Sequence, residues 1–166
     1  MKERFKFNTV GLFTRDNRAM VEFYTKAFGF SCDWDGIQPN VEMFLGGMRI
    51  ILFPRPDFEK MTSRSYQYPE GFNGTMELAL DVPCYADVDK EYQNALDKGA
   101  KSVLPPTTEP WGQRTCYVAD PDGLIEIGSF TKELGEDMDL HRIEKFIGRH
   151  DCDLKTEDFV ADAQKA

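Results

Sequence analysis

Two stretches of this chain, TVGLFTRDNRAMVEFYTKAFGF (9–30) and ELALDVPCYADVDKEYQNALDKGA (77–100), follow one plan at an offset of 68 residues. The offset sets Thr9 against Glu77, Val10 against Leu78, Leu12 against Leu80, Met20 against Val88, Tyr24 against Tyr92 and Ala27 against Ala95. Each copy opens with a short alternating run, the mark of a strand with one buried face. Each then passes into an amphipathic helix. In the first, Met20, Phe23, Tyr24, Ala27 and Phe28 fall on one helical side. Asp16 is placed to cap that helix and Gly29 to end it, and Gly99 ends the second. Strand-like segments follow: VEMFLGG and RIILF in the first copy, RTCYVAD and LIEIGSF in the second. Gly46-Gly47 and Asp122-Gly123 supply the turns between them. The pattern predicts an α+β chain of two βαβ(β)β units.

The boundaries follow from the same reading. Residues 6–53 form the first module and 75–130 the second. Between them, PRPDFEKMTSRSYQYPEGFNG (54–74) reads as a linker, long enough to form a flap. In it Tyr66, Tyr68 and Phe72 either line a ligand mouth or anchor the linker. Residues 131–166 change character. Leu140, Ile143 and Ile147 mark a short amphipathic helix in a tail that packs on the domain or on a second subunit.

The 166 residues hold 41% hydrophobic side chains, sufficient for an ordinary core. The formal charge of −9 and the lack of a Lys/Arg run argue against nucleic acid as a partner. No stretch reaches the ~20 apolar residues of a membrane span. The N-terminus lacks the apolar region of a signal peptide. Cys32, Cys84, Cys116 and Cys152 are widely spaced, a pattern of reduced thiols in the cytoplasm.

The alternation also distributes charge. Leu78 and Leu80 should face the second helix, leaving Glu77, Ala79 and Asp81 on the other side. By the same rule Ile125 and Ile127 face the helix and Glu126 faces away, while Val10 and Leu12 face theirs and Thr9, Gly11 and Phe13 face away. Two carboxylates, Glu77 and Glu126, then stand on a non-helical face. They are ordinary if that face is wet. If it curls into a cavity they need a cation, a proton or a donor.

The repeated plan, with NTVGLFTRDNRAMVEFYTKAFGF and above all PWGQRTCYVADPDGLIEI, resembles the vicinal oxygen chelate superfamily, which includes glyoxalase I, bleomycin-resistance proteins and extradiol dioxygenases. The resemblance spans residues 6–130. It implies paired βαβββ modules curved around a cavity, commonly in a homodimer, with the position of Glu126 inside the cavity. The family's metal enzymes place ligands on the first and last strand of each module. Those positions fall here on Thr9, on Ile50 or Ile51, on Glu77 and on Glu126. Glu126 matches the usual Glu, and Glu77 stands where His is common. Ile cannot coordinate, a neutral Thr hydroxyl is a poor ligand, and both histidines, His141 and His150, lie in the tail.

Two readings follow for a small-molecule cavity. In the first, a binder without the full metal set takes a cationic or aromatic ligand. Phe13, Phe44, Trp34 and Trp111 are its walls, and Glu77, Glu126 and Asp81 attract the cation. In the second, a divergent lyase or isomerase holds a divalent ion (Mn, Ni, Zn or Mg) between Glu77 and Glu126. There Glu126 is the candidate general base, and Arg114 with Gln113 fixes an anionic group. The binder ranks first because the cavity histidines of the family's usual chemistry are missing.

Overall fold

The computed structural model describes residues 6–109 and 113–123, and the backbone of 125–126. The chain divides into two compact units, with the break between Pro69 and Glu70.

The first unit runs β1 (Val10–Thr14), α1 (Asn17–Phe28), β2 (Ser31–Cys32), β3 (Val41–Leu45), β4 (Met48–Pro54) and α2 (Arg55–Thr62). The sheet order is β1-β4-β3-β2. β1 pairs with β4 in parallel, from Val10↔Ile50 to Thr14↔Pro54, and the other pairs are antiparallel. The Asp16 carboxylate caps α1, accepting from Arg18 N at 2.9 Å and Ala19 N at 3.1 Å. Gly29 ends the helix in the left-handed region at φ 73. Met20, Phe23, Tyr24 and Ala27 are the buried residues of α1, as their spacing predicts. α1 packs on β4, and Val41, Met43, Ile50 and Leu52 of the sheet are all at most 1% exposed. Each such side chain contributes ~1.5–3 kcal/mol by leaving water.

The strands therefore have two unlike faces. Leu12, Val41, Met43, Ile50 and Leu52 lie under α1. The alternate residues, Phe13 on β1, Ile51 and Phe53 on β4, and Glu42 and Phe44 on β3, stand on the opposite face. There Arg49 and Glu42 form an ion pair. α2 also packs against β1 and β4. It lies within the segment whose composition suggested a linker. Pro in the first turn fits the helix start, where its missing N–H costs nothing.

The second unit runs α3 (Tyr85–Asp97), β5 (Lys101–Thr108), β6 (Arg114–Ala119) and β7 (Ile125–Glu126), with the antiparallel order β5-β6-β7. Tyr85, Val88 and Ala95 of α3 are buried, as are Cys116 and Val118 of β6. β5 is a strand that the sequence hides. Pro105 and Pro106 sit in it, and the register with β6 shifts twice around them. Residues 77–82, expected as the opening strand, make no ladder among the described residues. In the first unit the opening strand pairs, among the described residues, with the last one, and here the corresponding strand is described for two residues. The alternation is nonetheless visible, with Leu78 buried and Glu77, Ala79 and Asp81 exposed. Cys84 is disulfide-bonded, whereas Cys32 and Cys116 are free. The expectation of uniformly reduced thiols is corrected, and with it goes the cysteine argument for a cytoplasmic location. The tail of 131–166 lies outside the described residues. No described helix is long and apolar enough to cross a membrane.

The Asp-Pro-Asp-Gly turn ties the unit together. Gly123 N donates to Asp120 O at 2.9 Å, and Asp122 N donates to the buried Asp120 carboxylate at 2.9 Å. Asn73 N donates to Gly123 O at 2.7 Å, drawing the 71–73 segment across the turn. Gly123 has φ 87, and a Cβ on it would stand 2.1 Å from Gly71 O. Gly123→Ala should therefore destabilise the chain by ~2–4 kcal/mol, through left-handed strain plus a clash with backbone. Urea unfolding measures this, and a loss under ~0.5 kcal/mol would disprove the close approach.

Candidate functional site

The second unit holds a cavity of about 380 Å³ lined by Gly74, Thr75, Met76, Glu77, Val103 and Tyr117. One wall comes from the segment pinned by Asn73. The Asn73 side-chain oxygen accepts from Thr75 N at 3.3 Å and from Thr75 Oγ1 at 2.6 Å, which turns the chain toward Met76 and Glu77. The opposite wall comes from β5 and β6. Arg114 and Cys116 of β6 lie toward α3, where Asp89 bonds Arg114 and its charge acts on Cys116. By alternation Thr115 and Tyr117 face away from the helix, into the cavity's side.

Tyr117 and Glu77 meet there. Burial pushes the Tyr117 phenol above its ordinary value. The negative charges of Glu77 and Glu109, and a hydrogen bond to the Glu77 carboxylate, push it further. A phenol so placed stays protonated at neutral pH, near enough to the Glu77 carboxylate to feel its charge. Met76 and Val103 supply apolar surface, being 40% and 36% exposed. The arrangement offers one carboxylate, one aromatic ring and two apolar walls, suited to an organic cation. Sequence reasoning singled out Glu77 but missed Tyr117, Met76 and Val103. Tyr117 was legible in principle, because it alternates with Arg114, Cys116 and Val118 along β6.

The remaining candidates are distributed as follows. Arg114 is a structural residue. Its guanidinium forks onto the Asp89 carboxylate with two bonds of 2.7 Å and donates to Thr108 Oγ1 at 2.8 Å. Its side chain is 11% exposed, so the expectation that it fixes an anionic ligand group gives way to a clamp between β6 and α3. Gln113 uses its backbone carbonyl to accept from Glu109 N at 2.7 Å. Asp81 is exposed and is not among the residues lining the cavity. Phe13 and Phe44 belong to the first unit, on its face away from α1, at 41% and 45% exposure. Trp34 closes a loop of that unit through Nε1 to Gln38 O at 2.8 Å, with the Arg18 guanidinium 5.7 Å from the ring centroid. Trp111 and the side chain of Glu126 lie outside the described residues. Only the ladder position of Glu126, opposite Val118, is described.

The donor set for a metal is thin. Ile51 rather than Ile50 stands on the face away from α1, and neither coordinates. Thr9 offers only a hydroxyl, buried and without a partner among the described residues. Glu77 lines the cavity beside Tyr117. Among the described residues no three His, Cys, Asp or Glu side chains converge to hold an ion. These residues do not fit the three-ligand set of a catalytic metal.

A family model described as the Glyoxalase/Bleomycin resistance protein/Dioxygenase superfamily matches residues 6–125. An uncharacterised protein of Mycobacterium bovis is 31% identical over 114 residues, covering 65% of this chain and 72% of that protein. An uncharacterised Mycobacterium tuberculosis protein matches equally, with 64% of its length covered. Among solved structures, a glyoxalase-related enzyme from Fulvimarina pelagi has a TM-score of 0.66 at 22% identity, over 80% of this chain and 94% of that one. A glyoxalase/bleomycin resistance protein/dioxygenase family enzyme from Burkholderia phytofirmans has a TM-score of 0.64 at 25% identity, over 74% and 96%.

The raised Tyr117 phenol sets a pH dependence. Its ordinary value is 10.0, and in the folded chain it ionises higher. Below pH 10 the phenol is neutral whether folded or unfolded. Above it the unfolded chain loses the proton first, so stability falls as pH rises. Tyr117→Phe should flatten that fall, seen as a smaller drop in Tm above pH 10 than in the native chain. Identical slopes would mean that the Tyr117 phenol is not held in the shielded, negatively charged surroundings that raise it.

Proposed function

The chain belongs to the Glyoxalase/Bleomycin resistance protein/Dioxygenase superfamily, and on that premise we propose that it binds a small organic cation in the cavity of its second unit. The observation that carries this reading is the Glu77 carboxylate in a cavity walled by Tyr117, Met76 and Val103. Glu77 supplies the counter-charge. The Tyr117 ring offers its face to a cation, and its hydroxyl orients the carboxylate. Met76 and Val103 cover the apolar body of the ligand. A cavity of about 380 Å³ suits a ligand of one or two rings. The formal charge of −9 favours approach of cations and disfavours nucleic acid. The thin donor set makes binding, rather than metal-assisted lyase or isomerase chemistry, the function these residues support. A homodimer is the assembly that the family resemblance implies.

Calorimetric titration with benzyltrimethylammonium, and with benzyl alcohol as its neutral counterpart, tests the reading. The native chain should bind the cation in preference to the alcohol. Glu77→Gln should weaken cation binding about ten-fold, ~1.4 kcal/mol, with the fold unchanged by circular dichroism. If the Gln variant binds the cation as tightly as the native chain, or the alcohol binds equally well, the cation site is wrong.

A further inference from the structure

We propose that the open face of the first unit carries a slot for one planar aromatic ring, between Phe13 and Tyr66, and that Phe58 of α2 fills this slot in the free protein. Phe58 stacks on Phe13 with centroids 4.0 Å apart and planes 29° apart. It also stacks on Tyr66, at 5.0 Å and 27°. Two rings stacked on a third take its two faces, so Phe58 is sandwiched. Phe53 closes the end edge-on, 6.2 Å from Phe58 and 6.4 Å from Phe13 at angles of 85° and 80°. Two flat walls and an edge-on end form a receptor geometry for an aromatic ring.

The occupant is loosely held. A ring that served only to anchor a core would exclude water from its neighbours. Here Phe13 remains 41% exposed and Tyr66 39%. α2 has eight residues, none of them buried, and no side-chain cap at its N-terminus. A helix this short does not persist without its packing. Apart from the stacked ring, its ties include Arg55 Nε donating to Phe13 O at 2.9 Å and Tyr66 N donating to the Glu59 carboxylate at 3.0 Å. A ligand ring entering between Phe13 and Tyr66 displaces Phe58 and loosens α2, so the helix competes with the ligand and lowers its apparent affinity. The slot lies wholly within the first unit and takes its ligand by stacking, so it goes beyond the cation cavity of the second.

The test uses 2-naphthol, a planar neutral probe, with the full chain. Phe58→Ala empties the slot and should bind 2-naphthol at least ten-fold more tightly than the native chain by equilibrium dialysis. Phe58→Leu keeps the slot filled and should stay within about two-fold of native. In the native chain, saturating 2-naphthol should speed amide hydrogen exchange across residues 55–62, because the displaced ring releases the helix. That second measurement decides the matter even if the Ala variant does not fold. The proposal is overturned if the Ala variant binds no tighter than native, or if 2-naphthol leaves the α2 amides unchanged or protects them, which would make Phe58 a wall. Glu77→Gln should respond to 2-naphthol as the native chain does. Failure of the cation site is thereby kept distinct from failure of the slot.

Discussion

The parallel pairing of β1 with β4 is the constraint from which the first unit follows. Two parallel neighbours cannot be joined by a tight turn, so the chain between Thr14 and Met48 must cross over and return. α1 makes the crossing, and β2 and β3 fill the sheet on the way back. A helix in that crossover covers one face. The register from Val10↔Ile50 to Thr14↔Pro54 then decides the fate of every alternate residue. Leu12, Ile50 and Leu52 go under α1, while Phe13, Ile51 and Phe53 are delivered to the other side. The aromatic character of that second face is thus a consequence of strand pairing combined with residue order. It leaves α2 a hydrophobic surface to rest on.

In the second unit the corresponding role of holding helix to sheet falls to a charge. The Arg114 guanidinium is nearly buried, and an unpaired cation there would cost several kcal/mol. Asp89 and Thr108 satisfy it with short, well-directed bonds, and the fork of Arg matches both carboxylate oxygens. This fixes β6 against α3 with Cys116 and Val118 inside. Burial, with Asp89 nearby, pushes the Cys116 thiol up to about 11, so it stays protonated and inert as a core residue. With one row of β6 so committed, the other row, Thr115 and Tyr117, is presented away from the helix. Tyr117 reaches Glu77 because of a clamp on the far side of its own strand.

Much of this was legible in the residues. The repeat at 68 residues, the helical face of Met20, Phe23, Tyr24 and Ala27, the cap at Asp16 and the Gly46-Gly47 turn all depend on local chemistry, and local chemistry is written in sequence. The role of Arg114 was not. A lone Arg at a strand start reads the same whether its partner is a ligand or a helix carboxylate 25 residues earlier, and only the packing of α3 on β6 decides. β5 was hidden by its two prolines, which suppress a strand signal without preventing pairing at a register shift. α2 was hidden by a composition that suits a linker as well as a short helix, since it buries no side chain and so leaves no hydrophobic periodicity. Tyr117 was overlooked because a Tyr in a strand is ordinary. Its significance comes from Glu77, which is distant in sequence and is brought near by Asn73 and the Asp120–Gly123 turn.

The repeat also explains why the two units carry unlike chemistry on like scaffolds. Thr9 and Glu77 occupy equivalent places, each just outside the alternating run that opens its copy. One is a neutral hydroxyl, buried and without a partner among the described residues. The other is a carboxylate beside the Tyr117 phenol, lining a cavity. The buried rows are mainly apolar in both copies, since each is covered by its own helix, and the second admits Arg114 only with Asp89 and Thr108 to satisfy it. The opposite rows are under less constraint, because exchanging a side chain there disturbs neither the ladder nor the packing of α1 and α3. Phe13, Phe44, Ile51 and Phe53 on one unit, and Glu77 with Tyr117 on the other, are what that freedom has produced. The stacked rings lie in the first unit and the Glu77–Tyr117 cavity in the second, each on the row that its strands turn away from α1 or α3.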